Sequence, residues 1–211
     1  MKVVAFNGSP KVRGNTYHAI RSVADELEKE GIEVEIIHVG NQLIQGCMAC
    51  NWCRQHHNEQ CVNKNDLVNE WIQKMKEADG IILGAPVHFS AIPGTMKSFL
   101  DRAFYVASVN KGFFRHKVGV SVVADRREGG IAVFDQLNNF LNYSEMILPA
   151  SNYWNIAYGT TPGEVKKDAE GMQIMSVLGR NMAWIMHVLD KEKNSEKEPA
   201  YVPKIDTNFI R

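Results

Sequence analysis

The chain has 211 residues, 45% hydrophobic and 23% charged, which suits one domain with a full core and no need of covalent staples. Lys plus Arg and Asp plus Glu both number 24, so no long-range field draws it to nucleic acid or to an anionic membrane. The first apolar run is too short for a signal-peptide core, and no stretch approaches the roughly 20 apolar residues of a spanning helix. The expectation is a cytoplasmic protein without membrane or nucleic-acid partners.

In chain order, Val3-Val4-Ala5-Phe6 is a short apolar strand, followed by the polar loop Gly8-Ser9-Pro10-Lys11-Val12-Arg13-Gly14-Asn15-Thr16. The next helix carries Ile20, Val23, Ala24 and Leu27 on one face. Gly31 breaks it, and Ile32 to Ile36 alternates like an edge strand. A polar insertion loop of about residues 40–63 holds every cysteine and has room for one helical turn. Asn65 or Asp66 caps a helix bearing Leu67, Val68, Trp71, Ile72 and Met75 that ends near Gly80. Ile81 to Ala85 is continuously apolar, as in a central parallel strand covered on both faces.

After the loop Pro86 to Gly94 comes a helix with Met96, Phe99, Leu100 and Ala103 inward, where Lys97 and Arg102 are expected to be solvated or paired with Asp101. A second buried strand, Val118 to Ala124, leads through the charged turn 125–130 to a helix with Phe134, Leu137 and Leu141. A weaker strand is expected between Met146 and Tyr153, and a last helix from about Asp168 to Leu189. Residues 1–190 thus form the expected domain, and 191–211 a charged, extended tail able to drape over a neighbouring subunit.

Strand and helix alternate throughout. In such sheets right-handed crossovers bring ligands to the carboxyl ends of the strands, so the loops 7–16, 85–95 and 124–130 converge there. A helix N-terminus offers free N–H groups and partial positive charge, and the first loop adds small hydroxyls, so it suits an anion. It is not a nucleoside-triphosphatase loop, because Asn15 stands where that motif needs lysine and the glycine spacing is one residue longer. A phosphate monoester is the expected ligand. The ordinary alternative for Ser9 and Asn15 is turn and capping chemistry.

All four cysteines, Cys47, Cys50, Cys53 and Cys61, lie within 15 residues, and a reducing compartment disfavours disulfides among them. Three closely spaced thiolates with a fourth folding back can surround a cubane cluster. Cys50, Cys53, Cys61 and either His56 or His57 form a rival tetrahedral zinc set, and plain thiols are the third reading.

With these stretches in view, the chain resembles the flavodoxin-like NAD(P)H-dependent FMN reductases of the iron-sulfur flavoprotein type. The resemblance rests on Gly-Ser-Pro-Lys with Gly-Asn-Thr at 8–16, the Cys-x-x-Cys-x-x-Cys run at 47–53, and Pro86-Val87-His88-Phe89 with Pro93-Gly94-Thr95-Met96-Lys97 and Asp101-Arg102. It extends to Asp168 and Leu178-Gly179-Arg180-Asn181-Met182-Ala183-Trp184. It implies an α/β fold, three-layer α/β/α, with a five-stranded parallel sheet in the order 2-1-3-4-5.

It also implies that Ser9, Lys11, Arg13, Asn15 and Thr16 hold the phosphate of FMN. Pro86, Val87, His88, Phe89 and Ser90 then line the isoalloxazine edge, and Asp125, Arg126 and Gly129 the third side. Members of the family it resembles often place Tyr where His88 stands and Gly where Ser90 stands. His88 is a candidate donor near flavin N1, against the plainer role of a satisfied polar residue. Arg126 and Arg127 face either flavin or a nicotinamide phosphate, or lie in a solvated turn. Cys47, Cys50, Cys53 and Cys61 are the expected ligands of a 4Fe-4S cluster.

The implied activity is an FMN-dependent oxidoreductase in electron transport. NAD(P)H or a ferredoxin-like protein is the donor, a quinone, a flavin or a protein the acceptor, and no catalytic side chain is required because flavin N5 carries the chemistry. A homodimer or homotetramer is expected. The competing readings are a non-turnover electron carrier or redox sensor, and a zinc-ordered interaction module without flavin.

Overall fold

A computed structural model describes residues 1–207 and 209; the end of the expected tail at 208, 210 and 211 lies outside the described residues. Its strands are β1 (Lys2–Asn7), β2 (Glu33–His38), β3 (Gly80–Pro86), β4 (Val118–Asp125) and β5 (Ile156–Tyr158). They form one five-stranded sheet in the order β2-β1-β3-β4-β5 with every pairing parallel, the architecture that the family resemblance implies.

The helices are α1 (Asn15–Lys29), α2 (Trp52–His56), α3 (Val68–Glu77), α4 (Gly94–Val109), α5 (Gly130–Tyr143) and α6 (Ala169–Glu192). Strand periodicity divides the core. Val3 and Ala5 of β1 and Ile82 of β3 point into a cluster with Ala19, Ile20 and Val23 of α1 and Met175, Leu178 and Met182 of α6. Val4, Phe6, Ile81 and Leu83 point the other way, toward Trp71 and Met75 of α3 and Phe99 and Leu100 of α4. The methionine stripe of α6 is core, as helical spacing dictates. β1, β3 and β4 are covered on both faces and read as apolar runs, whereas β2 at the edge is only half-buried.

Two expectations change. The last strand is not at 146–153 but at Ile156–Tyr158, with only a single bridge between Val118 and Ile147 before it. Pro149 interrupts the earlier segment, and the buried Asn155 side chain donates to Ser121 O at 3.0 Å, so polar residues carry the chain back to the sheet. α3 starts with Leu67 at its cap position, and Asp66 Oδ1 accepts from Val68 N at 3.2 Å. Beyond α6 the described tail is largely exposed, and it folds back on its own subunit. His116 meets Glu198 at 3.2 Å, and Arg115 lies 5.4 Å from the Tyr201 ring centroid.

Candidate functional site

The carboxyl ends of β1, β3, β4 and β5 meet around a cavity of about 190 Å³ lined by Ser9, Lys11, Asn15, Thr16, Pro86, Val87, His88, Asp125, Arg126, Gly159 and Thr160 among others. One wall is the start of α1. Its cap residue is Gly14, no side chain caps it, and its first turn holds no acidic residue, so its N–H groups and positive pole stay available. Thr16 Oγ1 is buried there without a hydrogen-bond partner among the described residues. A buried hydroxyl left unmade costs about 1–3 kcal/mol, so the arrangement calls for a ligand acceptor.

Ser9 shapes the floor of this end. Its N–H donates to Asn7 Oδ1 at 3.1 Å and its Oγ accepts from Lys11 N at 3.2 Å, which leaves the hydroxyl proton to donate. Asn15 Oδ1 accepts from Val165 N at 3.2 Å, so this side chain joins α1 to the 3-10 turn Glu164–Lys167 and turns its amide nitrogen the other way. A Cβ on Gly159 would lie 2.6 Å from Val165 N and 2.9 Å from Asn15 Nδ2, so only glycine lets this fourth loop close on the first. Lys11 lines the cavity, whereas Arg13 is exposed and outside the lining. Burial, then the nearby charges of Lys166 and Arg13, hold the His18 imidazole below its ordinary value.

The loop after β3 is a tight turn. His88 and Ala91 exchange backbone bonds of 3.1 and 3.0 Å around Phe89 and Ser90, whose φ angles are 49° and 57°. Both central residues are therefore left-handed in a turn that usually takes Asn-Gly, and each costs on the order of 1–2 kcal/mol. Phe89 is fully exposed, and neither it nor Ser90 lines the cavity. Gly129 (φ 97°) fits under this turn, where a Cβ would come within 2.7 Å of Ser90 Oγ.

Asp125, at the end of β4, accepts from Arg127 N at 3.2 Å through Oδ1, while its buried Oδ2 has no partner among the described residues. Arg126 lines the cavity, and the exposed Arg127 does not. Burial first, then Asp125, push the Tyr158 phenol at the end of β5 above its ordinary value.

The cysteine loop lies along α4. All four cysteines line one small cavity of about 20 Å³ together with Asn63, Arg102 and Tyr105; Cys47 and Cys50 are exposed, Cys61 half-buried and Cys53 buried. Burial pushes the Cys53 thiol up. No three His, Cys, Asp or Glu side chains converge on one metal position among the described residues. His56 Nδ1 lies 2.9 Å from Trp52 O, and His57 Nδ1 lies 2.9 Å from Val109 O. Neither histidine lines the cavity, so the zinc set built on them is not assembled.

Ala49, Asn51, His57 and Glu59 all have positive φ, an unusual density of left-handed residues for one loop. Lys97 pairs with Asp101 at 2.7 Å as expected. Arg102 does not: it is 1% exposed, pairs with Asp66 and donates from Nε to Cys61 Sγ at 3.3 Å. It follows Asp101 along the helix and so faces the interior while Asp101 faces water.

The sequence left out Gly159, Thr160 and Pro162, which close the cavity after β5. Their signal was the turn-forming run Gly159 to Gly163, obscured because the last strand was placed too early.

Comparison with known proteins shows the family and the fold. The profile of the family described as NADPH-dependent FMN reductase matches residues 1–161. An iron-sulfur flavoprotein of Methanocaldococcus jannaschii is 35% identical over 199 residues, covering 90% of this chain and 100% of that protein. One of Archaeoglobus fulgidus is 33% identical over 172 residues, covering 80% and 83%. The solved NAD(P)H:quinone oxidoreductase of Methanothermobacter marburgensis shares the fold with a TM-score of 0.61 at 15% identity, covering 86% of this chain and 96% of that one. The chain belongs to the NADPH-dependent FMN reductase family, flavodoxin-like oxidoreductases, and within it to the iron-sulfur flavoprotein type.

Proposed function

We propose that the cavity at the carboxyl edge of the sheet binds FMN, and that the protein moves electrons from NAD(P)H or a ferredoxin-like donor to a quinone, a flavin or a protein acceptor. The carrying observation is the buried, unpartnered Thr16 Oγ1 at the uncapped start of α1. A phosphate there would accept from Thr16, from the hydroxyl of Ser9, from the Asn15 amide and from the first N–H groups of the helix, with Lys11 adding charge. Asp125 repels a phosphate and accepts hydrogen bonds, so its unpartnered Oδ2 takes the donor-bearing part of the ligand, a ribityl hydroxyl or a ring N–H. On this reading the start of α1 would hold the phosphate, and Pro86, Val87 and His88 would line the ring.

Bound FMN supplies hydride acceptance at N5 and release of electrons singly or in pairs. The chain contributes position and exclusion of water, with His88 as a donor toward the ring edge and Arg126 beside the mouth. Phe89 and Ser90 act as the strained rim rather than as cavity lining; such strain gathers at ligand sites.

We further propose that Cys47, Cys50, Cys53 and Cys61 hold a 4Fe-4S cluster. Four thiols lining one cavity are the donor set that would hold such a group, and the outer wall is the exposed segment 46–51. The left-handed residues of this loop are strain that a bound group would offset. The relatives named iron-sulfur flavoprotein support the same reading.

Tyr105 lines both this cavity and an aromatic groove between α4 and α5 that Phe104, Phe140 and Tyr143 also line. We propose that a second copy of the chain seats in this groove beside the cysteines, giving a homodimer or homotetramer with electron transfer across the interface. The test is anaerobic purification with flavin, iron and sulfide analysis, followed by NADPH and NADH oxidation with a quinone. Yellow protein that oxidises a nicotinamide and carries iron is expected. Colourless protein that takes up no FMN would overturn the flavin assignment, and flavin without iron after anaerobic reconstitution would overturn the cluster.

A further inference from the structure

Arg102 is the most deeply buried charge of the described chain, with its side chain 1% exposed, and Asp66 at 7% is its single counterion. Taking a guanidinium out of water costs several kcal/mol unless its N–H groups are used. They are: Nε donates to Cys61 Sγ at 3.3 Å, one terminal nitrogen to Gln45 O at 3.2 Å and to the Asp66 carboxylate, and the other to Asn63 O at 3.0 Å.

These four acceptors bracket the cysteine run. Gln45 precedes Cys47 by two residues, Cys61 is the last cysteine, and Asn63 and Asp66 follow it, so one residue of α4 holds both flanks of the loop. A clamp that served the loop alone would gain more from another carbonyl, because sulfur is a weak acceptor as a thiol and a strong one only as a thiolate or a metal ligand.

Resting on the cluster reading above, we infer that Arg102 is a positioning residue for the iron-sulfur group, its Nε–H bond fixing Cys61 Sγ and raising the reduction potential of the metal centre. Adding an electron increases the negative charge on the ligand sulfurs, and a directed N–H donor stabilises that state more than the oxidised one. The Arg102–Asp66 pair is neutral as a whole, so the directed bond rather than net charge carries the effect. Lysine cannot reproduce it, since one ammonium has no fork to span four acceptors.

The test compares the full chain with Arg102→Lys, which keeps a countercharge for Asp66, and with the double variant Arg102→Gln, Asp66→Asn, which buries no charge. Each is reconstituted anaerobically with FMN, ferrous iron and sulfide, its FMN and iron are counted, and both midpoints are read in one EPR-monitored redox titration. All three are expected to keep FMN and iron. In both variants the one-electron equilibrium of the iron centre is expected to shift at least tenfold toward the oxidised form, about 59 mV, with the flavin midpoint unmoved. An unchanged iron midpoint, or loss of iron or FMN from both variants, would make Arg102 a strut for the loop and overturn the assignment. Wild type that takes up no iron would overturn the cluster reading itself, and the inference with it.

Discussion

On the FMN reading, single residues at the cavity divide by the part of the ligand they would meet. Asp125 Oδ2 is buried and unpartnered but is an acceptor, so Asp125→Asn should weaken FMN and riboflavin alike, by about tenfold, as expected for a lost bond to a charged acceptor. Equal affinities in variant and wild type would remove Asp125 from the site. Ser90 is left-handed, at φ 57°, so Ser90→Gly should relieve strain. Glycine also loosens the unfolded chain, so the net gain is about 1 kcal/mol, seen as about 2–4 °C in Tm, and a fall in Tm would contradict the strain.

His18 gives a pH signature. Its folded pKa is held below the ordinary 6.5 by burial and by Lys166 and Arg13, so the folded state binds this proton less readily than the unfolded state. Stability from this group is therefore complete above about pH 6.5 and declines as pH falls through and below it. Thermal melts of apo-protein from about pH 7 to 5 should slope less in His18→Gln, and an identical slope would exclude the residue.

At the scale of elements, the cavity depends on how closely four loops can approach. Gly159→Ala would force a Cβ within 2.6 Å of Val165 N, push the fourth loop from α1 and lower FMN affinity more than stability. Isothermal titration beside a thermal melt separates the two effects. A variant that binds FMN as wild type does would show that the fourth loop is not part of the site.

Elements whose burial repeats locally were legible in the sequence. β1, β3 and β4 are apolar runs, and α1, α3 and α6 carry one apolar face. β5 was not, because three residues are too few for a pattern and its placement is fixed by distant polar bonds such as Asn155 to Ser121 O. Arg102 was misread for a related reason: its acceptors lie 36 to 57 residues away, so a charge that composition puts in water is buried by the folded loop.

On the scale of the whole molecule, the sheet organises two sites on different elements. The cavity lies at the carboxyl ends of the strands, while the cysteines lie over the flank of α4, whose start follows the strained turn 88–91. On the proposed reading, the two redox groups would sit on different elements and share no ligand residue.

The assignment of the cavity to FMN is tested most directly by titrating apo-protein with FMN and with riboflavin, in wild type and in Thr16→Val, which keeps the shape and removes the hydroxyl. A hydrogen bond to a charged group contributes about 1.5–3 kcal/mol, so FMN affinity should fall by about 10- to 100-fold while riboflavin affinity stays within about twofold. Equal losses for the two ligands, or none for either, would contradict the placement of the phosphate at the start of α1.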